Sequence, residues 1–150
     1  MKTLVALVAL AAWTALAPAA AQASPHAHNL VGVSGYDLVS YHHGEPAKGS
    51  GFHTAQHEGV TYLFASEENQ KRFAAAPEKY LPAYGGYCAY GLALGKKFAS
   101  DPEAWKIVEG RLYLNLNGEI QEKWLAGIED MIEKGDAHWE QIRDKAPSEL

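Results

Sequence analysis

Cys88 is the only cysteine in the 150-residue chain, and it stands in the run Gly85-Gly86-Tyr87-Cys88-Ala89-Tyr90-Gly91. A lone thiol in a glycine-flanked turn has three uses. It can be an inert, buried filler. It can be a soft thiolate ligand for a transition metal, copper foremost. Or it can cycle through a sulfenic acid or a mixed disulfide with a small thiol or oxidant. No Lys, Arg or His lies within five residues of Cys88, so any group that activates it comes from elsewhere in the fold. The seven histidines are the candidate co-ligands. His53 and His57 share a strand face but stand about 13 Å apart at roughly 3.3 Å per residue, too far to hold one ion. His42 and His43 are adjacent and point apart in regular structure, so at most one of them joins Cys88. No Cys-x-x-Cys pair occurs. Asp37, within Gly35-Tyr36-Asp37-Leu38-Val39-Ser40-Tyr41, reads either as a helix cap or as a group that completes a site at Cys88 with Tyr41. The candidate metal residues are Cys88, His42 or His43, and Asp37 or Tyr41. The catalytic residues are unassigned, with Cys88 the candidate if the thiol is redox-active, and an enzyme is the less favoured expectation.

The beginning of the chain bears on the fate of that thiol. Lys2, the uncharged run from Leu4 to Ala17 and the small residues ending in Ala21-Gln22-Ala23 form a secretory signal, too short in its apolar run to be a membrane anchor. Residues 1–23 are read as the signal and 24–150 as one domain, periplasmic or secreted after cleavage near Ala23. The remainder carries 12 basic against 18 acidic side chains. This acidic balance, with no basic cluster, argues against nucleic acid as a partner, and no later stretch is apolar enough to span a bilayer. A single cysteine excludes an internal disulfide. At the new amino terminus, Ser24-Pro25-His26 has the spacing of a copper-chelating arm, but Pro25 lacks the amide proton that the chelate needs.

Elements that would position these groups follow from pattern. The stretch from Phe52 to Ser66 reads as a hairpin turning at Glu58-Gly59, and Trp105 to Asn117 as a second turning at Glu109-Gly110. Ser66 and Asn117 cap the helices that follow, and Pro77 stops the first. Leu112, Leu114 and Leu116 face one side of their strand, Arg111, Tyr113 and Asn115 the other. Ile128, Met131, Ile132, Gly135, Trp139 and Ile142 form the stripe of a final amphipathic helix. A shift of 51 residues places Glu58-Gly59 on Glu109-Gly110, Tyr62-Leu63 on Tyr113-Leu114, Gln70 on Gln121 and Ala75 on Ala126. Two hairpin-plus-helix units of one design are expected, because a lone hairpin cannot bury its apolar face. The fold class is α+β: two small antiparallel hairpin units, each packed by a helix, plus the C-terminal amphipathic helix.

The first unit, from His57 to Tyr80, resembles the YHS domain through Tyr62, Phe64, Ser66, Phe73, Pro77 and Tyr80. The wider chain is similar to exported YHS proteins through Gly35 to Tyr41, Gly85 to Ala89, Asp101 to Trp105 and Leu112 to Asn115. That resemblance implies a role in binding or handling a transition metal such as copper, and that the segments of Asp37 and Cys88 share one site. It also implies cysteine ligands at positions where this chain has Ala65 and Asn69. With those thiolates missing, Cys88 is the remaining candidate. Relatives with selenocysteine in the corresponding motif add the redox reading, and a non-catalytic partner-binding module is the third.

Overall fold

The computed structural model describes residues 31–150; the expected signal, residues 1–23, and the arm with His26 and His28 lie outside them. The described chain is α+β, as the pattern implies, and the 51-residue repeat governs all of it as far as the start of the last helix. Each unit opens with a tight left-handed turn, Gly32–Gly35 in the first and Ala83–Gly86 in the second. A short helix follows, α1 (Leu38–Tyr41) or α4 (Ala89–Ala93). Then comes a hairpin: β1 (Ser50–His57) with β2 (Val60–Phe64), or β3 (Asp101–Val108) with β4 (Arg111–Asn115). A helix crosses it, α2 (Glu67–Ala75) or α5 (Gly118–Leu125). The units end differently, the first in the four-residue α3 (Pro77–Tyr80) and the second in the fifteen-residue α6 (Ile128–Ile142).

The correspondence holds in detail. Thr54 pairs with Leu63 as Trp105 pairs with Leu114, and each first strand bulges just before that pair. Glu58-Gly59 and Glu109-Gly110 both adopt positive φ, the primed-turn geometry whose twist matches a two-residue hairpin. Val31 bridges Thr61, and Pro82, 51 residues on, bridges Leu112. Gln70 donates to the Thr54 carbonyl at 2.5 Å, and Gln121 to the Trp105 carbonyl at 2.6 Å. These two amides close the bulged strand edges that would otherwise offer a free carbonyl to another chain.

The units stack in layers. Tyr62 and Phe64 of the first sheet pack on Phe73 of α2, and Tyr113 of the second packs on Trp124 of α5. The opposite face of the second sheet, with Trp105, Ile107, Leu112 and Leu114, joins one core cluster with Leu38, Tyr41 and Tyr80 of the first unit. Tyr41 sets its ring edge-on to Trp105 at 5.4 Å and donates to the Pro102 carbonyl at 2.8 Å. The matching face of the first sheet carries Thr54, Gln56, Thr61 and Leu63 and meets no further layer among the described residues; Thr54 and Gln56 are exposed. A polar outer face is what ends a stack of repeats without exposing a core. At the other end α6 closes the stack. Its Ile128, Met131, Ile132, Trp139 and Ile142 pack with Ala89 and Leu92 of α4, the stripe that the sequence pattern marks. No described helix is long and apolar enough to cross a membrane.

Candidate functional site

Cys88 is the N-cap of α4. Its backbone N–H donates to the Phe98 carbonyl at 3.0 Å, and its sulfur accepts from the Gly91 N–H at 3.4 Å. Subtracting 51 gives Asp37, the N-cap of α1, whose N–H donates to the Ala47 carbonyl at 2.8 Å, again 51 residues before Phe98. The thiol and the carboxylate fill one slot in two copies. The turn that precedes each slot is also shared. Val33-Ser34 in the first unit and Tyr84-Gly85 in the second are left-handed, a conformation that is a genuine outlier for the β-branched Val33. Each turn closes with an N–H to carbonyl bond three residues apart, Tyr36 to Val33 and Tyr87 to Tyr84. The glycine-flanked turn before Cys88 therefore serves to aim a cap.

The two slots are satisfied differently. The Asp37 carboxylate is fully buried and accepts four bonds: Val39 N–H at 2.8 Å, Ser40 N–H at 3.4 Å, Ala65 N–H at 2.9 Å and Asn69 Nδ2 at 2.7 Å. A buried carboxylate stays in place only with donors of this number. Sulfur is a weak acceptor with one atom where the carboxylate has two, so the second unit brings in Asn115. Its Oδ1 accepts the Tyr90 N–H at 3.1 Å, the counterpart of Val39 N–H, and sits 3.8 Å from the Cys88 sulfur. Position 115 answers to Phe64, a core residue of the first unit. Cys88 and Asn115 together do what Asp37 does alone. The exchange leaves Asn115 Nδ2 buried with no partner among the described residues.

Cys88 is 1% exposed. Burial pushes its thiol up, against the pull of the Gly91, Leu116 and Tyr90 amides, because the buried thiolate loses its hydration. A reactive cysteine needs the opposite surroundings, electropositive and partly open.

The other candidate residues lie in the first unit. His42 sets its ring edge-on to Tyr80 at 5.2 Å, and burial lowers its pKa, with Lys79 and His43 adding to the effect. His43 lies 3.3 Å from Arg72, a second cationic neighbour rather than an anionic one. Asp37 and Tyr41 are engaged as already described, in the α1 cap and against β3. None of these contacts involves Cys88, and among the described residues no group of three or more His, Cys, Asp and Glu side chains is placed to hold a metal ion. The motif residues of the first unit each have a packing or capping task. Tyr62, Phe64 and Phe73 form the ring cluster, Ser66 caps α2 through Asn69 N–H at 3.1 Å, Pro77 opens α3, and Tyr80 is buried.

Residues that pattern reading passes over include Asn115, Lys97 and the exposed apolar groups. Lys97 is almost wholly buried, a rare place for an ammonium. Among the large exposed apolar side chains, Leu94, Phe98 and Leu116 of the second unit stand where the first unit has His43, Ala47 and Ala65. Aligning the two units is the signal that would have found them.

The fold and its two cap slots define a duplicated α+β domain in which equivalent positions serve the same structural ends. No family model, curated protein or solved structure matches the chain.

Proposed function

We propose that the chain is an exported, non-catalytic partner-binding module of YHS-like design, with Cys88 serving its architecture. The observation that carries this reading is the equivalence of Cys88 and Asp37 as helix caps. A thiol that replaces a capping carboxylate, is buried, and is held protonated by that burial is suited to structure rather than to ligation or redox cycling. Support for binding comes from the divergence of the units. The fold tolerates His43, Ala47 and Ala65 in one copy, so Leu94, Phe98 and Leu116 in the other are not required by packing alone. These three exposed apolar side chains are the candidate contact points of that module.

The test is thiol accessibility and metal content in mature protein purified from the periplasm. An aromatic disulfide reagent should leave Cys88 unmodified until denaturant is added, and copper should be at trace level in wild type and Cys88→Ser alike. Stoichiometric copper that Cys88→Ser loses would reinstate the metal reading. A native thiol reacting as fast as a free one would reinstate the redox reading.

A further inference from the structure

The last helix sits on a surface that the first unit uses for something else. In the first unit the side of α1 that faces away from its own hairpin receives a sheet: Tyr41 meets Trp105, and Leu38 joins a cluster with Leu112 and Leu114. Fifty-one residues on, Leu92 stands in the place of Tyr41 and Ala89 in that of Leu38, and both are covered by α6. His138 of α6 lies 2.9 Å from the Leu92 carbonyl through Nδ1, and its ring backs Gly95. The helix occupies the seat of a third sheet.

What holds it there has no counterpart in the first unit. Lys97 answers to Pro46. Its ammonium donates to the carbonyls of Arg143 and Lys145, both at 2.7 Å, just past the end of α6. It also lies over the rings of Tyr87 and Trp139 at 5.2 and 5.3 Å. The carbonyls at a helix C-terminus lack partners within the helix and carry its negative pole. One buried cation thus fastens the end of α6 to the loop after α4; burial lowers the Lys97 pKa, and Asp144 and Glu149 offset part of that.

We propose that α6 is a strap, latched by Lys97, over a sheet-docking face of the second unit, and that a partner presenting the apolar face of a β-hairpin takes that seat when the strap opens. The partner chemistry is that of the face already seated on α1, an aromatic flanked by leucines on neighbouring strands. The partner half rests on the binding-module reading; the opening of α6 does not.

Native-state hydrogen exchange on the full mature chain tests the strap. In wild type, amides of residues 128–142 should exchange through an opening that leaves residues 60–64 and 111–115 protected. Lys97→Met keeps the apolar stem and removes the charged donor. It should speed exchange in α6 by at least about ten- to a hundredfold, the equivalent of one of the two charged hydrogen bonds it loses, and leave both hairpins unchanged. Under the same conditions an anilinonaphthalene dye should bind Lys97→Met and not wild type, reporting the bared α4 face. The proposal is overturned if α6 in wild type exchanges only with the hairpins, if Lys97→Met accelerates all segments equally, or if α6 opens without dye binding. A reactive native Cys88 would sink the binding-module reading and leave the exchange pattern as it is, so the two failures are distinguishable.

Discussion

Replacing Asp37 by alanine should unfold more of this protein's stability than any change at Cys88, although the two residues hold the same position in their units. The carboxylate of Asp37 accepts the Val39, Ser40 and Ala65 N–H groups and the Asn69 amide, with no exposure to water. Loss of an N-cap costs about 1 kcal/mol, and each hydrogen bond to a charged group contributes about 1.5–3 kcal/mol. The terms overlap, since Val39 and Ser40 share one oxygen, so about 4 kcal/mol is expected. At Cys88 the alanine variant loses the N–H to sulfur bond from Gly91, the thiol's weak bond to Asn115 Oδ1 and the volume of one sulfur, while Asn115 still accepts the Tyr90 N–H. About 1–2 kcal/mol is expected there. Urea unfolding followed by circular dichroism reads both, with an unchanged slope required for the comparison. If Asp37→Ala leaves too little folded protein to titrate, Asp37→Asn, which keeps one acceptor oxygen, should fall between the two. A loss under about 1.5 kcal/mol for Asp37→Ala, or a Cys88→Ala loss equal to it, would refute the compensation argument.

Three further outcomes follow from the same contacts. Burial raises the Cys88 thiol in the folded state, so its contribution is fully present below the unfolded thiol value of about 8.5 and is lost as pH rises through the higher folded one; Cys88→Ala should flatten that part of an alkaline stability curve measured by urea midpoint. Burial lowers His42, so the unfolded chain takes up a proton first as pH falls below about 6.5, and His42→Leu should reduce the loss of thermal midpoint between neutral and mildly acidic pH. Gln70→Ala and Gln121→Ala should each cost about 1 kcal/mol in urea unfolding, the second somewhat more, because Gln121 bonds Trp105 in a less exposed setting than Gln70 bonds Thr54.

The hairpins, their turns, both capped helices and the final helix are legible in the sequence because each rests on local signals: Glu-Gly at a two-residue turn, Ser66 and Asn117 at helix starts, and a stripe of period 3.6. The shared cap slot is not, although the arithmetic is simple. Asp37 and Cys88 differ in charge, size and acceptor strength, and the repeat shows in sequence only over the hairpins and their crossing helices, where side chains face matching cores. The turn and cap before each hairpin are conserved in backbone and not in residue type, so Val33-Ser34 and Tyr84-Gly85 look unrelated as letters and superpose as dihedrals. Asn115 is invisible for a related reason: its role depends on a carboxylate that the second unit lacks. The metal set of Cys88 with His42, His43, Asp37 and Tyr41 needs two chain segments at one place, a long-range arrangement that no local pattern encodes. The repeat puts Asp37 and Cys88 in corresponding positions of separate units.

Two hairpins with the same register, turn and bulge create a hazard during folding. Nothing in hydrogen-bond geometry stops β1 from pairing with β4, or β3 with β2, within one chain or between two. What discriminates is the row of side chains on the stacking face: Thr54, Gln56 and Thr61 in one unit, Trp105, Ile107 and Leu112 in the other. A crossed pairing would put Trp105 or Leu112 on the solvent end of the stack and threonine or glutamine between the units, losing a buried aromatic–leucine contact in the interior. The chemical difference between the copies thus acts as an address that tells each strand which partner is its own, and making the copies more alike would be expected to favour misassembly and exchange of strands between chains.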